Sequence, residues 1–155
     1  MYNNIKDYNS DHGQLYVAGH SAGGQLAAML MATDWSEINV AADAIKGVCG
    51  ISGIFNLEPI RLSDLNQVLN IDWSTALRNS PVKLLPATRC PLAIVVGAEE
   101  TEEFLDQSRE LHTCWKKTIP VEMIIAEGSN HFSIVETMLD PGSSLHKAMR
   151  RLMKI

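Results

Sequence analysis

The hexapeptide Gly19-His20-Ser21-Ala22-Gly23-Gly24 constrains the fold of this chain more than any other feature of the sequence. It directly follows an apolar run typical of a β-strand, residues 14–18, and it opens an Ala- and Leu-rich segment typical of a helix, residues 22–33. A serine on so sharp a turn needs flanking glycines, because larger side chains would collide there. The G-x-S-x-G pattern therefore predicts a turn that holds the Ser21 hydroxyl over the end of a sheet. A glycine-rich turn of a nucleotide-binding fold is the alternative, but that turn requires no serine.

Strand and helix patterns alternate along the rest of the chain. Three further apolar runs predict strands at residues 45–51, 92–96 and 121–125. Helical patterns at residues 104–115 and 145–152 lie between or after these runs. This alternation predicts an α/β fold, with a mainly parallel sheet of about four strands and helices on both faces. The unbroken LAIVV run at 92–96 is typical of a strand that is buried on both sides.

One long segment interrupts this alternation. Residues 55–91 carry four prolines and weak helical patterns such as residues 62–69. We expect a single domain over residues 1–155 with a cap-like excursion at about 55–91. Such an excursion either forms the wall of a binding site or is a plain surface connection, and the pattern leaves both possibilities open.

Composition excludes several classes of protein. The 13 basic and 18 acidic residues give a net charge of −5 with no large basic cluster, so we expect no nucleic-acid or membrane partner.

The cysteines Cys49, Cys90 and Cys114 are odd in number and lack a C-x-x-C pair, which argues against a disulfide framework and against a zinc site. The N-terminus has no apolar signal core. We expect a cytoplasmic protein with mostly buried, reduced thiols, no metal and no cofactor.

A serine nucleophile needs a base, usually a histidine, that is oriented by a carboxylate. In the strand-turn-helix type of serine hydrolase, the chain order is nucleophile, acid, base. His131 is the histidine that follows Ser21 and stands on a predicted loop after a strand, whereas His112 and His146 fall inside predicted helices. His131 is therefore the candidate base, with an ordinary solvated loop histidine as the alternative.

The acid is expected just after the strand that ends near Gly97. Glu102 and Glu103 have a structural explanation, because acidic side chains in the first turn of a helix favour its dipole, with Thr101 as a possible N-cap. Glu99 and Glu100 remain as candidates for the acid, and the residues alone do not decide between them. A solvated charge run is the alternative for the pair.

Three segments, GHSAGGQLAAML, VVGAEETEEFLDQSREL and EGSNHFSIVE, occur in an order and at a spacing that resemble the α/β-hydrolase fold. Specifically, they resemble its kynurenine formamidase (arylformamidase) branch, which is similar to hormone-sensitive-lipase-type esterases. The resemblance implies a serine hydrolase that converts N-formyl-L-kynurenine to kynurenine and formate in tryptophan breakdown. A small-ester carboxylesterase would use the same residues. The resemblance implies that Ser21 is the nucleophile, His131 the base and Glu100 the acid. Family members often have Asp at the position of the acid, so Glu99 stays an alternative for this role.

The family also has strands before the nucleophile strand and an HGG-type loop whose amides complete the oxyanion hole. No HGG occurs in this sequence, and 13 residues precede the first predicted strand. We therefore expect a domain truncated at its N-terminus, with residues 2–8 as the end of a helix and the Ala22 amide as an oxyanion donor. We expect the first strand to have an open edge that permits self-association. A weakly active or inactive remnant is the alternative to an active enzyme, and for the isolated chain we favour weak activity.

A substrate pocket is expected beside these residues for a small-molecule acyl substrate with an aromatic group. His20 adjoins the nucleophile, Phe132 adjoins the base, and Trp73 lies in the excursion that follows a strand of the sheet. Ordinary core packing is the alternative for the two aromatic side chains.

Overall fold

The computed structural model describes residues 4, 5, 7 and 11–155. Within them, one sheet of four parallel strands has the order β1-β2-β3-β4, which confirms the predicted parallel α/β sheet. The strands are β1 (Tyr16–His20), β2 (Gly47–Ile51), β3 (Leu92–Gly97) and β4 (Val121–Ala126). The helix end expected within residues 2–8 lies mostly outside the described residues.

In the part of the chain that the structure describes, seven α-helices accompany the strands: α1 (Ala22–Ala32), α2 (Glu58–Arg61), α3 (Asn66–Leu69), α4 (Trp73–Arg78), α5 (Glu102–Trp115), α6 (Ser133–Glu136) and α7 (Ser144–Met153). The first strand begins two residues later than predicted. The reason is a 3-10 turn at His12–Gln14, in which the Asp11 carboxylate accepts a hydrogen bond from the Gly13 N–H. The strand then continues as far as His20, directly before the nucleophile position.

The two faces of the sheet bury two separate hydrophobic clusters. On one face, side chains of α1 and α5 pack against Val48, Leu92 and Ile94. On the other face, side chains of α6 and α7 pack against a second set of strand residues: Cys49, Ile51, Ala93 and Val95. Successive residues of a strand point to opposite faces, so a strand covered on both faces is apolar at every position. This explains the unbroken LAIVV run.

The excursion contains three short helices, α2 to α4, instead of one longer helix. The backbone of Asn70 is left-handed, with a φ of 51°, and ends α3 after one turn. Leu62, Leu65 and Val68 are exposed. The periodicity at residues 62–69 therefore reflects a single turn of helix with exposed apolar neighbours.

Strand β1 lies at one edge of the sheet. Within the described part of the chain it pairs with β2 on one side, and Ala18 at its centre is exposed. Cys49 and Cys90 are buried free thiols, whereas Cys114 is an exposed one. Among the residues described, no helix is long and apolar enough to cross a membrane.

Candidate active site

Ser21 occupies a strained turn between β1 and α1. Its φ of 56° and ψ of −118° are unfavourable for a residue with a side chain, and such strain costs about 1–3 kcal/mol. The turn is tight because a Cβ atom on Gly19 would lie 2.0 Å from the Gly23 carbonyl oxygen. The Ser21 N–H also donates to the Ile51 carbonyl at 2.9 Å, which ties the turn to the end of β2. Local backbone geometry thus fixes the position of the Ser21 hydroxyl.

Ser21, His131 and Glu100 form one continuous hydrogen-bonded chain. The Ser21 Oγ atom lies 3.1 Å from Nε2 of His131, and Nδ1 of the same ring lies 2.8 Å from Oε2 of Glu100. A carboxylate accepts hydrogen bonds, so we assign the imidazole proton to Nδ1, which leaves Nε2 free to accept the Ser21 hydroxyl proton. This arrangement allows the imidazole to act as a general base toward the serine.

The carboxylate at His131 belongs to Glu100. Its side chain is 0% exposed, and its Oε1 atom accepts the Gly97 N–H at 2.8 Å, whereas Glu99 is exposed. Thr101 stands at the N-cap position of α5, but its side chain makes no capping hydrogen bond. The expected N-cap position of Thr101 is therefore confirmed, without a hydrogen bond from its hydroxyl.

The two acidic residues of the first turn of α5 bond to side chains of their own helix. Glu102 pairs with Arg109 at 2.7 Å. Glu103 accepts a hydrogen bond from the Gln107 amide, also at 2.7 Å. Both acidic side chains thus have partners on α5 itself, in agreement with their expected place at the start of a helix.

Two aromatic rings hold the imidazole of His131 in place. The Nε2 atom of His20 lies 2.8 Å from the His131 carbonyl oxygen, and the centroids of the two rings are 4.6 Å apart. The Phe104 ring packs on the His131 ring at 4.4 Å. We expected His20 in the substrate pocket, and here it contacts the ring and the backbone carbonyl of His131. Phe104 was not singled out, although its position in the first turn after the acid was a signal for it.

Ser52 was also missed by sequence reasoning. It directly follows β2, is 0% exposed and has a left-handed backbone with a φ of 47°. Its hydroxyl donates to Oε1 of Glu100. The available signal was a Ser-Gly pair directly after a predicted strand, because the carboxyl ends of parallel strands meet at one edge of the sheet.

Ala22 begins α1, so its N–H has no carbonyl partner one turn earlier in the helix. This amide and the positive end of the helix dipole can stabilise an oxyanion formed beside Ser21. A groove of about 430 Å³ starts at Ala22, and the excursion supplies much of its wall. The described residues that line it are all uncharged: Ala22, Gln25, Leu26, Met29, Ile54, Leu57, Ile60, Leu69, Ile71, Thr75 and Asn79.

The two aromatic residues expected in the pocket lie at different places. Phe132 is 81% exposed, and its ring stands edge-on to His131 with the centroids 5.5 Å apart. Trp73 is 56% exposed and lines a separate hollow of about 150 Å³, with the Arg61 guanidinium 5.9 Å from its ring centroid. Phe132 is thus next to the His131 ring, and Trp73 is outside the groove at Ala22.

The sequence of this chain is similar to those of curated proteins. The chain is 34% identical to the kynurenine formamidases of Salmo salar and Danio rerio, over 156 and 154 residues respectively. Each match covers 96% of this chain and 52% of the relative, so the chain spans about half the length of these curated relatives. No protein-family model matches the chain.

Solved structures agree on the fold. A Silicibacter sp. TM1040 protein provisionally named a thioesterase superposes with a TM-score of 0.78 at 29% identity, over 92% of this chain and 52% of that one. The acetyl ester-xyloside bifunctional hydrolase of Caldicellulosiruptor lactoaceticus superposes with a TM-score of 0.74 at 15% identity, over 99% and 60%. At that identity the likeness concerns the fold alone. The chain therefore has the α/β-hydrolase fold and resembles the kynurenine formamidases over about half of their length.

Proposed function

We propose that this chain carries the catalytic residues of a serine hydrolase that cleaves aryl formamides, with N-formyl-L-kynurenine as the substrate. The hydrogen-bonded chain from Ser21 through His131 to Glu100 is the observation that carries the proposal. The similarity to kynurenine formamidases supports the choice of a formamide as the substrate.

The chemistry follows from the positions of these atoms. The Ser21 Oγ atom attacks the formyl carbon while its proton passes to Nε2 of His131, and the Glu100 carboxylate stabilises the resulting imidazolium. The negative charge of the tetrahedral intermediate develops on the formyl oxygen, beside the Ala22 N–H. The intermediate collapses as the C–N bond breaks, and the imidazolium returns its proton to the aryl amine. Ser21 is left as a formyl ester.

The second half of the reaction uses the same groups with water in place of the serine. Nε2 of His131 takes a proton from a water molecule, whose oxygen attacks the formyl ester carbon. Collapse of this intermediate breaks the bond to Ser21 and returns the proton to its Oγ atom. Formic acid leaves and loses its proton to water to become formate, and no metal or cofactor takes part in these steps.

A small-ester carboxylesterase is the second candidate, and the groove at Ala22 favours it. The described residues that line this groove are aliphatic or neutral polar. A substrate with an amino acid group carries charges for which these residues offer no counter-charge, whereas an apolar ester fits them well.

Hydrolysis of the two substrate classes tests the proposal. We expect the chain to release kynurenine from N-formyl-L-kynurenine faster than it cleaves a short aryl ester, and we expect Ser21→Ala to abolish both activities. Ester cleavage without formamide cleavage would favour the carboxylesterase. Equal turnover by the Ser21→Ala variant would contradict both candidates.

A cytoplasmic location is also part of the proposal. The three cysteines are free, including the exposed Cys114, and free thiols suit a reducing compartment. Thiol titration of the protein isolated from its native cells under rapid alkylation would find three reduced cysteines. Recovery of the chain with oxidised cysteines would argue against this location.

A further inference from the structure

We infer that Ser52 is a positioning residue of this site, whose hydroxyl holds the Glu100 carboxylate in the orientation that His131 requires. The inference rests on the proposed function, because it assigns Ser52 a part in the same reaction. The Ser52 hydroxyl donates a hydrogen bond to Oε1 of Glu100. The other carboxylate oxygen, Oε2, faces Nδ1 of His131 at 2.8 Å.

Ser52 lies between the turn of the nucleophile and the turn of the acid. The carbonyl of the preceding residue, Ile51, accepts the Ser21 N–H at 2.9 Å. The N–H of Ser52 itself donates to the Val95 carbonyl at 2.7 Å, on the strand that leads to Glu100. The backbone on both sides of the Ser52 side chain is therefore fixed, and its hydroxyl has a defined direction toward the acid.

The backbone of Ser52 is strained. A φ of 47° is left-handed, a conformation that glycine adopts freely and that other residues adopt at a cost. Glycine would satisfy the backbone at this position better than serine does. Glycine would lack the hydroxyl group. The contact between this hydroxyl and Glu100 therefore explains why a serine stands at a position that suits glycine.

The burial of Glu100 makes this contact important. Its side chain is 0% exposed, so water cannot replace a lost hydrogen bond, and a buried carboxylate is costly unless its oxygens are satisfied. Oε1 accepts two donors, the Ser52 hydroxyl and the Gly97 N–H at 2.8 Å. Without the hydroxyl, one backbone donor would remain on this oxygen. The carboxylate could then rotate about its last bond and weaken its contact with the imidazole.

Two variants of Ser52 separate the hydroxyl from the backbone. Ser52→Ala removes the hydroxyl and keeps the strained backbone, whereas Ser52→Gly removes the hydroxyl and relieves the strain. Ser108→Ala is the matched control. Ser108 is also a fully buried serine, and its hydroxyl has no hydrogen-bond partner among the described residues. All three variants are first checked for an intact fold by their melting temperatures.

Two readouts are measured on each variant that folds. The first is the rate at which a fluorophosphonate modifies Ser21. The second is the proton NMR resonance of the imidazole Nδ1–H of His131, which reports the hydrogen bond to Glu100 and requires no activity. We expect both Ser52 variants to lose about tenfold in labelling rate, the size of effect typical of one hydrogen bond to a charged group. We expect the resonance to shift in both, and neither readout to change in Ser108→Ala.

Three results would overturn the inference. One is a loss of less than threefold in the labelling rate of Ser52→Gly. Another is a slower labelling rate with an unmoved Nδ1–H resonance, which would show that Ser52 does not act through Glu100. The third is the same change in the Ser108→Ala control. If the unaltered chain shows no labelling of Ser21, the proposed function fails, and the resonance alone then decides the role of Ser52.

Discussion

The buried carboxylate of Glu100 lies 2.8 Å from Nδ1 of His131, although the two residues belong to different loops, after β3 and after β4. Gly97 permits this approach, because a Cβ atom on it would lie 2.2 Å from the Ser129 carbonyl oxygen in the loop of the base. The Glu99 N–H donates to the same carbonyl at 3.0 Å. The neighbouring Glu99 thus joins the two loops through its backbone, and Glu100 contacts the imidazole through its side chain.

This difference predicts opposite outcomes for two matched substitutions. Glu100→Gln removes the negative charge that stabilises the imidazolium, so we expect kcat to fall by about 10³–10⁴-fold. Glu99→Gln changes an exposed side chain, and we expect kcat to stay within about twofold. Steady-state hydrolysis by the two purified variants checks the prediction. A larger loss in Glu99→Gln than in Glu100→Gln would reverse the assignment of the acid.

Much of the fold and part of this site follow from local sequence. The strand-turn-helix around Ser21 is local, because the glycines, the apolar run and the Ala-rich helix adjoin each other in the chain. Which of Glu99 and Glu100 contacts His131 does not follow from local sequence. The residues alone left both possible, and only the family resemblance favoured Glu100. The contact of Ser52 with the acid depends on how two strands pair, which no single segment encodes.

The groove at Ala22 predicts a change in substrate binding. Leu69 lines the groove and is exposed, so Leu69→Arg adds a charge to the groove without burying it fully. We expect the KM for an apolar aryl ester to rise several-fold, about 1 kcal/mol in binding, with kcat nearly unchanged. Leu62→Arg is the control, because Leu62 is exposed in the same excursion but does not line the groove. Equal KM values for the two variants would remove the groove from substrate binding.

The thiol of Cys49 predicts a pH dependence of stability. Burial, with a smaller effect of the nearby Glu122 carboxylate, raises the pKa of Cys49 from 9.0 to about 12. The thiol ionises in the unfolded chain above about pH 9 but stays neutral in the folded chain. Its contribution to stability is thus complete below pH 9 and is lost as the pH rises toward 12.

A comparison with Cys49→Ala isolates this effect from other groups that titrate at high pH. We expect the free energy of unfolding to fall more steeply between pH 9 and pH 11 in the unaltered chain than in the variant. Denaturant unfolding at several pH values measures both slopes. Parallel slopes would show that Cys49 ionises equally in the folded and unfolded states.

The edge of β1 predicts self-association. We propose that copies of this chain pair through this edge, because among the described residues β1 pairs with β2 alone, and unpaired strand edges are templates for strand addition. Ala18 is exposed at the centre of β1, and Ala18→Lys places a charge there. We expect the variant to show a smaller apparent mass in light scattering than the unaltered chain at equal concentration. Identical masses would place the association elsewhere or show that none occurs.

Labelling by a fluorophosphonate measures whether Ser21 is an activated nucleophile. The reagent is incubated with the unaltered chain and with His131→Ala, and the modified peptide is identified by mass spectrometry. We expect an adduct on Ser21 that forms at least about 10²-fold faster in the unaltered chain, because His131 removes the serine proton. Equal rates of adduct formation on Ser21 in the two proteins, including no adduct in either, would show that His131 does not activate Ser21.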